Sequence, residues 1–145
     1  MIYLSHFFFP SRGREYGYLM SELRTCYDSF YPFRVLSEHD FDILEPDQVT
    51  ILCGGNGSGK STALNVIAET LQLERDTLYN RSNFFDDYTQ MCDYILNGAI
   101  PEGCRVITSD DVFDYMLNLR TIYQGIEDKR EDLLNEYLDI KYSDF

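Results

Sequence analysis

One stretch constrains this chain more than any other: residues 51–69, ILCGGNGSGKSTALNVIAE. An apolar run, a glycine-rich loop and a segment of helical periodicity follow one another without a gap. The expected local fold is therefore strand, tight turn and helix. Gly54, Gly59, Lys60 and Ser61 satisfy the pattern G-x-x-x-x-G-K-[ST] without a mismatch. Glycines there let successive backbone N–H groups point inward, and a helix start adds positive potential at the same place. Such a loop is a cradle for phosphate. Gly54, Gly55, Asn56, Gly57, Ser58, Gly59, Lys60, Ser61 and Thr62 are the expected nucleotide-binding residues. Lys60 is expected to reach the β and γ phosphates, and the Ser61 hydroxyl to ligate Mg²⁺.

The flanking sequence supplies elements of both kinds. Residues 2–9, IYLSHFFF, read as a strand stopped by Pro10, and a helix is expected from about Ser11 to Cys26. FYPFRV leads into HDFDILEPDQVTILCGG, two strand patterns separated by the turn-forming EPDQ, which predict an antiparallel hairpin feeding the glycine loop. After Lys60, Leu64, Ile67, Ala68 and Leu71 fall on one face of a core-facing helix. ERDTLYNRSN reads as loop, and FFDDYTQMCDYILNG as a helix stopped at Asn97 and Gly98. CRVIT predicts a short strand, and Ser109 is the expected N-cap of DDVFDYMLNLRTIY. Gly125 interrupts, and EDKREDLLNEYLDIKY predicts a last amphipathic helix with Leu133, Leu134, Tyr137 and Leu138 on one side.

The length suits a single domain, 1–145, with a core of strands and first helix over 1–73 and a mainly helical, acidic part over 74–145. The formal net charge is −13, and most of the acidic excess lies after the glycine loop. Direct nucleic-acid binding is disfavoured, because it depends on neutralising phosphates with Lys and Arg. The amino-terminal run lacks a basic leader and is too short to cross a bilayer, so no membrane association and a cytoplasmic location are expected. Cys26, Cys53, Cys92 and Cys104 show no zinc-type spacing and are expected to be reduced thiols, Cys53 as a small buried one.

The inner residues of the loop carry a resemblance. GGNGSGKST is similar to the G-x-N-G-S-G-K-[ST] form of ABC-type ATPases, including AAA-labelled bacterial ATPases akin to recombination-repair and chromosome-maintenance enzymes. FDILEPDQVTILCGGNGSGKSTALNVIAE resembles the strand, turn and strand that introduce the loop in that group, so the likeness covers residues 40–73. RVITSDDVFDYM and the acidic helix resemble the group's helical insertion. The resemblance implies an α/β, P-loop NTPase-like fold: an incomplete core sheet with an N-terminal antiparallel hairpin and a helical C-terminal part. It also implies ATP and Mg²⁺ as ligands, and an aromatic that stacks on the base, Tyr31 or Phe33, for each of which a core role is the other reading. Two features of the group are absent from the sequence: an LSGGQ-like segment, and a run of four apolar residues followed by Asp-Glu. The chain thus resembles the N-terminal portion of an ATPase, an excised piece or a small protein that kept only that portion, with little or no hydrolysis alone. Asp110 and Asp111 follow a short strand pattern, where smaller P-loop enzymes place a magnesium-holding acid. Capping of the next helix explains them fully as well.

A second function class remains open. The chain can serve as an acidic interaction protein or inhibitor, for example a phage-encoded, anti-CRISPR-like one. It would then present Glu127, Asp128, Glu131, Asp132, Glu136 and Asp139 to a basic, nucleic-acid-handling partner. A third, a small kinase, would need a lid built from Arg75, Arg81 and Arg120. Unpaired sheet edges would favour an oligomer or a partner.

Overall fold

Strand β1, Leu4–Phe8, is the hub of the fold. Its residues alternate with the strand period: Phe7 and then Phe9 are buried, while the rings of His6 and Phe8 stack on each other 5.9 Å apart on the opposite face. The computed structural model describes residues 1–24, 29–76, 78–79 and 81–143. These fall into two units, 1–106 and 107–145.

In the first unit β1 is central to a three-stranded antiparallel sheet. On one side lies β2, Ile43–Leu44, with Phe7 opposite Leu44. On the other lies β3, Asp93–Leu96, with Phe7 opposite Tyr94 and Phe8 opposite Asp93. Among the described residues three α-helices complete the unit: α1, Arg12–Ser21; α2, Lys60–Thr70; and α3, Phe85–Met91. The α/β class agrees with expectation, but the pairing does not follow the predicted hairpin. Residues 43–44 pair with β1, and residues 49–53 carry no strand, with Val49 and Ile51 exposed. Nor is 84–98 one helix. Cys92 leaves the helical region with ψ 153, and β3 then satisfies backbone groups of β1 that a continued helix would have left unpaired. Asn97 donates to the carbonyls of Tyr3 and Ile2, at 2.7 and 2.9 Å, as a strand extension rather than a helix stop. CRVIT contributes only an isolated parallel bridge, Glu74 with Arg105.

The core is aromatic. Phe33 stacks on Tyr18 at 4.8 Å and meets Tyr88 edge-on at 5.0 Å, with Phe7, Phe84, Phe85 and Val66 buried around it. Helix α2 turns part of the expected face inward: Ala68 is buried and Ile67 packs against the core, but Leu64 is 52 % exposed, and Thr62, Ala63 and Val66 are buried in addition. Thr62 tolerates burial because its hydroxyl lies 2.8 Å from the Tyr31 hydroxyl. Helix α1 begins as predicted at Ser11, whose side chain accepts from the Arg14 N–H. It ends at Ser21, and the Cys26 end of the expected helix lies outside the described residues. Tyr18 and Arg24 both donate to Asp87 at 2.5 Å, and the exposed Asp86 pairs with Arg81.

Glu15 is the one fully buried residue of α1. Ser37 Oγ and the Arg34 N–H donate to its Oε2, and Oε1 has no partner. Burial raises the Glu15 carboxyl above its ordinary 4.5, outweighing the lowering by Ser37 and Arg34. The folded chain therefore holds a proton that the unfolded chain releases. This group's contribution to stability is fully present below 4.5 and is lost as pH climbs toward the raised value. Glu15→Gln should remove that loss. The variant-minus-wild-type difference in urea stability should be positive at pH 7 and shrink as pH falls toward 4.5; a pH-independent difference would contradict a buried titrating carboxyl.

The second unit is a helix with two leading residues. Helix α4 runs without interruption over Ser109–Ser143, so Gly125 does not divide it; one interior glycine costs only about 1 kcal/mol relative to alanine. No residue of α4 is buried. Its cap is Thr108 rather than Ser109. Thr108 N–H and Oγ1 donate to Asp111 Oδ2 at 2.7 and 2.9 Å, and the Asp111 N–H returns a bond to Thr108 Oγ1 at 3.3 Å, a reciprocal capping box. Among the described residues no helix is long and apolar enough to cross a membrane.

Candidate functional site

The loop before α2 takes the shape its glycines permit. Gly57 and Gly59 have φ of 79° and 95°, a region L side chains rarely adopt, and Gly59 serves as the N-cap of α2. No side chain caps that helix end, so its first N–H groups are available to an anion. A Cβ on Gly54 would stand 2.5 Å from Ser58 Oγ. One on Gly59 would stand 3.0 Å from both Val35 Cγ1 and Leu36 Cδ2. Gly59→Ala should therefore strain the backbone and crowd this contact, costing about 1–2 kcal/mol of stability and weakening Mg·ATP binding in the fraction that stays folded. Urea titration and calorimetry read the two effects separately.

Lys60 folds back over the loop. Its Nζ donates to the Gly54 carbonyl at 2.6 Å, the Gly55 carbonyl at 2.8 Å and Ser58 Oγ at 3.3 Å. Ser58 Oγ in turn donates to the Gly55 carbonyl at 2.7 Å. All the acceptors of the ammonium are neutral, and among the described residues it forms no ion pair. A cavity of about 430 Å³ opens beside the loop, lined by Leu36, His39, Phe41, Ile51 and Cys53 together with loop residues. Cys53 is exposed rather than buried. The cavity lining is the part sequence reading missed. Only the position of 51–53 next to the loop signalled it, whereas residues 36–41 arrive through the 3₁₀ turn Ser37–His39.

The expected residues thus divide. Gly54, Gly55, Asn56, Gly57, Ser58, Gly59 and Lys60 form one loop, Ser61 is exposed on the first turn of α2, and Thr62 is buried beneath it against Tyr31. Phe33 belongs to the core and presents no face for a base. Asp111 is engaged by the cap of α4. Among the described residues no cluster of three or more His, Cys, Asp or Glu side chains could hold a metal ion. Arg75 lies over the Tyr79 ring and donates to Asn65, and Arg81 pairs with Glu69 and Asp86. Glu127, Asp128, Glu131, Asp132, Glu136 and Asp139 are all exposed on α4.

This geometry meets an independent finding. A family model described as ABC transporter matches residues 36–139, well over half of the chain. The chain belongs to the ABC transporter family. No curated protein and no solved structure matches it. Within the ABC transporter match lie the whole glycine loop, helix α2 and the entire cavity lining.

Proposed function

We propose that the chain binds Mg·ATP through Gly54–Thr62 and that its own residues turn the nucleotide over slowly. The observation that carries this is the Lys60 ammonium, held by neutral oxygens at the mouth of an uncapped helix. A phosphate offers it charge-assisted bonds roughly twice as strong as the neutral ones it gives up. The residues present fit the nucleotide: two glycines in the left-handed region, a position at Gly54 that any Cβ would crowd, and free N–H groups at the start of α2. Ser61 is the residue that would hold magnesium, which would supply positive charge against the phosphate oxygens. Lys60 would fix the phosphates, Gly57 and Gly59 would keep the backbone donors aimed inward, and the cavity beside the loop would shelter the rest of the nucleotide.

Slow turnover follows from the sequence, where no acidic pair closes an apolar run and no LSGGQ-like segment occurs; the relation to recombination-repair ATPases belongs to the same reading. Calorimetric titration of Mg·ATP into the chain tests the proposal. Saturable binding that Lys60→Ala removes supports it, whereas a folded chain that takes up no nucleotide overturns it. Lys60-dependent multiple turnover by the chain alone would overturn the statement about rate.

A further inference from the structure

Helix α4 poses a problem of its own. It runs for 35 residues and buries none of them, although helices in water owe most of their stability to packing of an apolar face. Within its unit there is no second element for it to pack against. Eight of its apolar residues nonetheless fall in a regular order, while others, Leu117 and Leu138 among them, lie off it. Val112, Leu119, Ile126, Leu133 and Ile140 recur every seventh residue, and Met116, Tyr123 and Tyr137 fall between them at the alternating three- and four-residue spacing of a coiled-coil seam. Arg130 is the one charge on that seam. Asp128, Glu131, Asp132 and Asp139 lie on the outer positions, away from it.

We propose that α4 pairs with α4 of a second copy of this chain as an antiparallel two-stranded coiled coil, with the twofold axis between Gln124 and Gly125. Charge decides both direction and register. A parallel, in-register pair would set the two Arg130 guanidinium groups against each other in the seam. The antiparallel register centred between 124 and 125 instead seats Met116 on Leu133, Tyr123 on Ile126, Tyr137 on Val112, and Arg130 beside Leu119 of the other copy. Along its edges Arg120 faces Glu127 and Phe113 faces Leu134, each pair occurring twice by symmetry. Sliding by one heptad toward the amino terminus sets Arg120 against itself. Sliding the other way sets Glu127 against Glu127 and Lys129 against Lys129, and a further heptad brings Arg120 against Lys141. Of these four registers, only the chosen one is free of facing like charges.

The area suffices too. The seam residues from Val112 to Ile140 extend over roughly 40 Å of helix. With about eight apolar side chains each covering on the order of 100 Å², the pair buries roughly 1,600 Å² in total, the size of a standard stable interface.

Sedimentation velocity on the whole chain, over micromolar to hundred-micromolar concentrations, tests this. The wild type should sediment as a dimer at the upper end, and Ile126→Asp as a monomer at every concentration. Because Ile126→Asp can also melt the helix, a charge exchange keeps the test sharp. Arg120→Glu alone should raise the dimer dissociation constant roughly tenfold, and Arg120→Glu with Glu127→Arg should restore it to near the wild-type value. A monomeric wild type, a dimer indifferent to Ile126→Asp, or an exchange that fails to rescue would each overturn the proposal; the first would leave the seam to a different protein. Mg·ATP titration of Ile126→Asp separates this result from the phosphate loop, since binding there needs only the first unit.

Discussion

Lys60→Ala should lower the affinity for Mg·ATP at least about 100-fold, while leaving the fold and the thermal midpoint of the first unit close to wild type. The size follows from what the ammonium does now and what it would do with phosphate in place. Its present bonds go to two backbone carbonyls, both exposed, and to one part-buried hydroxyl at a long 3.3 Å, so their loss costs the free protein little. In the complex it would make bonds to anionic oxygens, each contributing about 1.5–3 kcal/mol, and two of these correspond to a factor on the order of 10² to 10⁴ in dissociation constant. A truncation to alanine removes them without adding bulk to the loop. Calorimetry and a thermal melt on the same sample separate the two halves of the expectation. Equal affinity in the two proteins would show that the loop does not grip phosphate through Lys60. A matched fall in affinity and melting temperature would mean that Lys60 holds the loop's shape rather than the nucleotide.

The phosphate loop was legible because its determinants are local. Left-handed φ at Gly57 and Gly59, a helix that starts at Lys60 and an ammonium within reach of its own loop all follow from a few neighbouring residues. What depends on distant partners was not legible. Residues 93–96 form a strand because β1, nearly the whole first unit away in sequence, needs a neighbour on that side. The helical spacing of the preceding residues gave no sign of that demand. On α2 the expectation holds for Ala68 and Ile67 but not for Leu64, for a related reason: Tyr31 supplies the hydroxyl partner that lets Thr62 be buried, and Leu64 then turns outward. Gly125 looked like a break because it is the weakest helix former in its window, yet a cost of about 1 kcal/mol does not stop a 35-residue helix. At Asp111 the chemistry was legible while the partner was shifted by one residue, since Thr108 and Asp111 close the box that Ser109 was expected to begin.

Phe33 tests a different kind of reading, because sequence alone left it between a base-stacking and a core role. The structure places it in the core at 3 % exposure, stacked on Tyr18 and edge-on to both Tyr88 and Phe84. Phe33→Ala should destabilise the first unit by about 3–5 kcal/mol, the lost transfer energy of the ring plus the cavity left among three aromatics that cannot all close on it. Against a total stability of about 5–15 kcal/mol this is a large fraction, so part of the sample can be unfolded at 37 °C. Phe33→Leu keeps much of the volume and should cost about 1–2 kcal/mol. Near-ultraviolet circular dichroism in urea is the suitable probe, because it reports packed rings, whereas the far-ultraviolet signal is dominated by α4. Phe33→Leu also decides the functional question: as a core residue it should leave Mg·ATP affinity within about twofold, whereas stacking on a base contributes about 1–3 kcal/mol and its loss would weaken binding at least fivefold. Unchanged stability in Phe33→Ala together with a large loss of affinity would move Phe33 out of the core and into the nucleotide site.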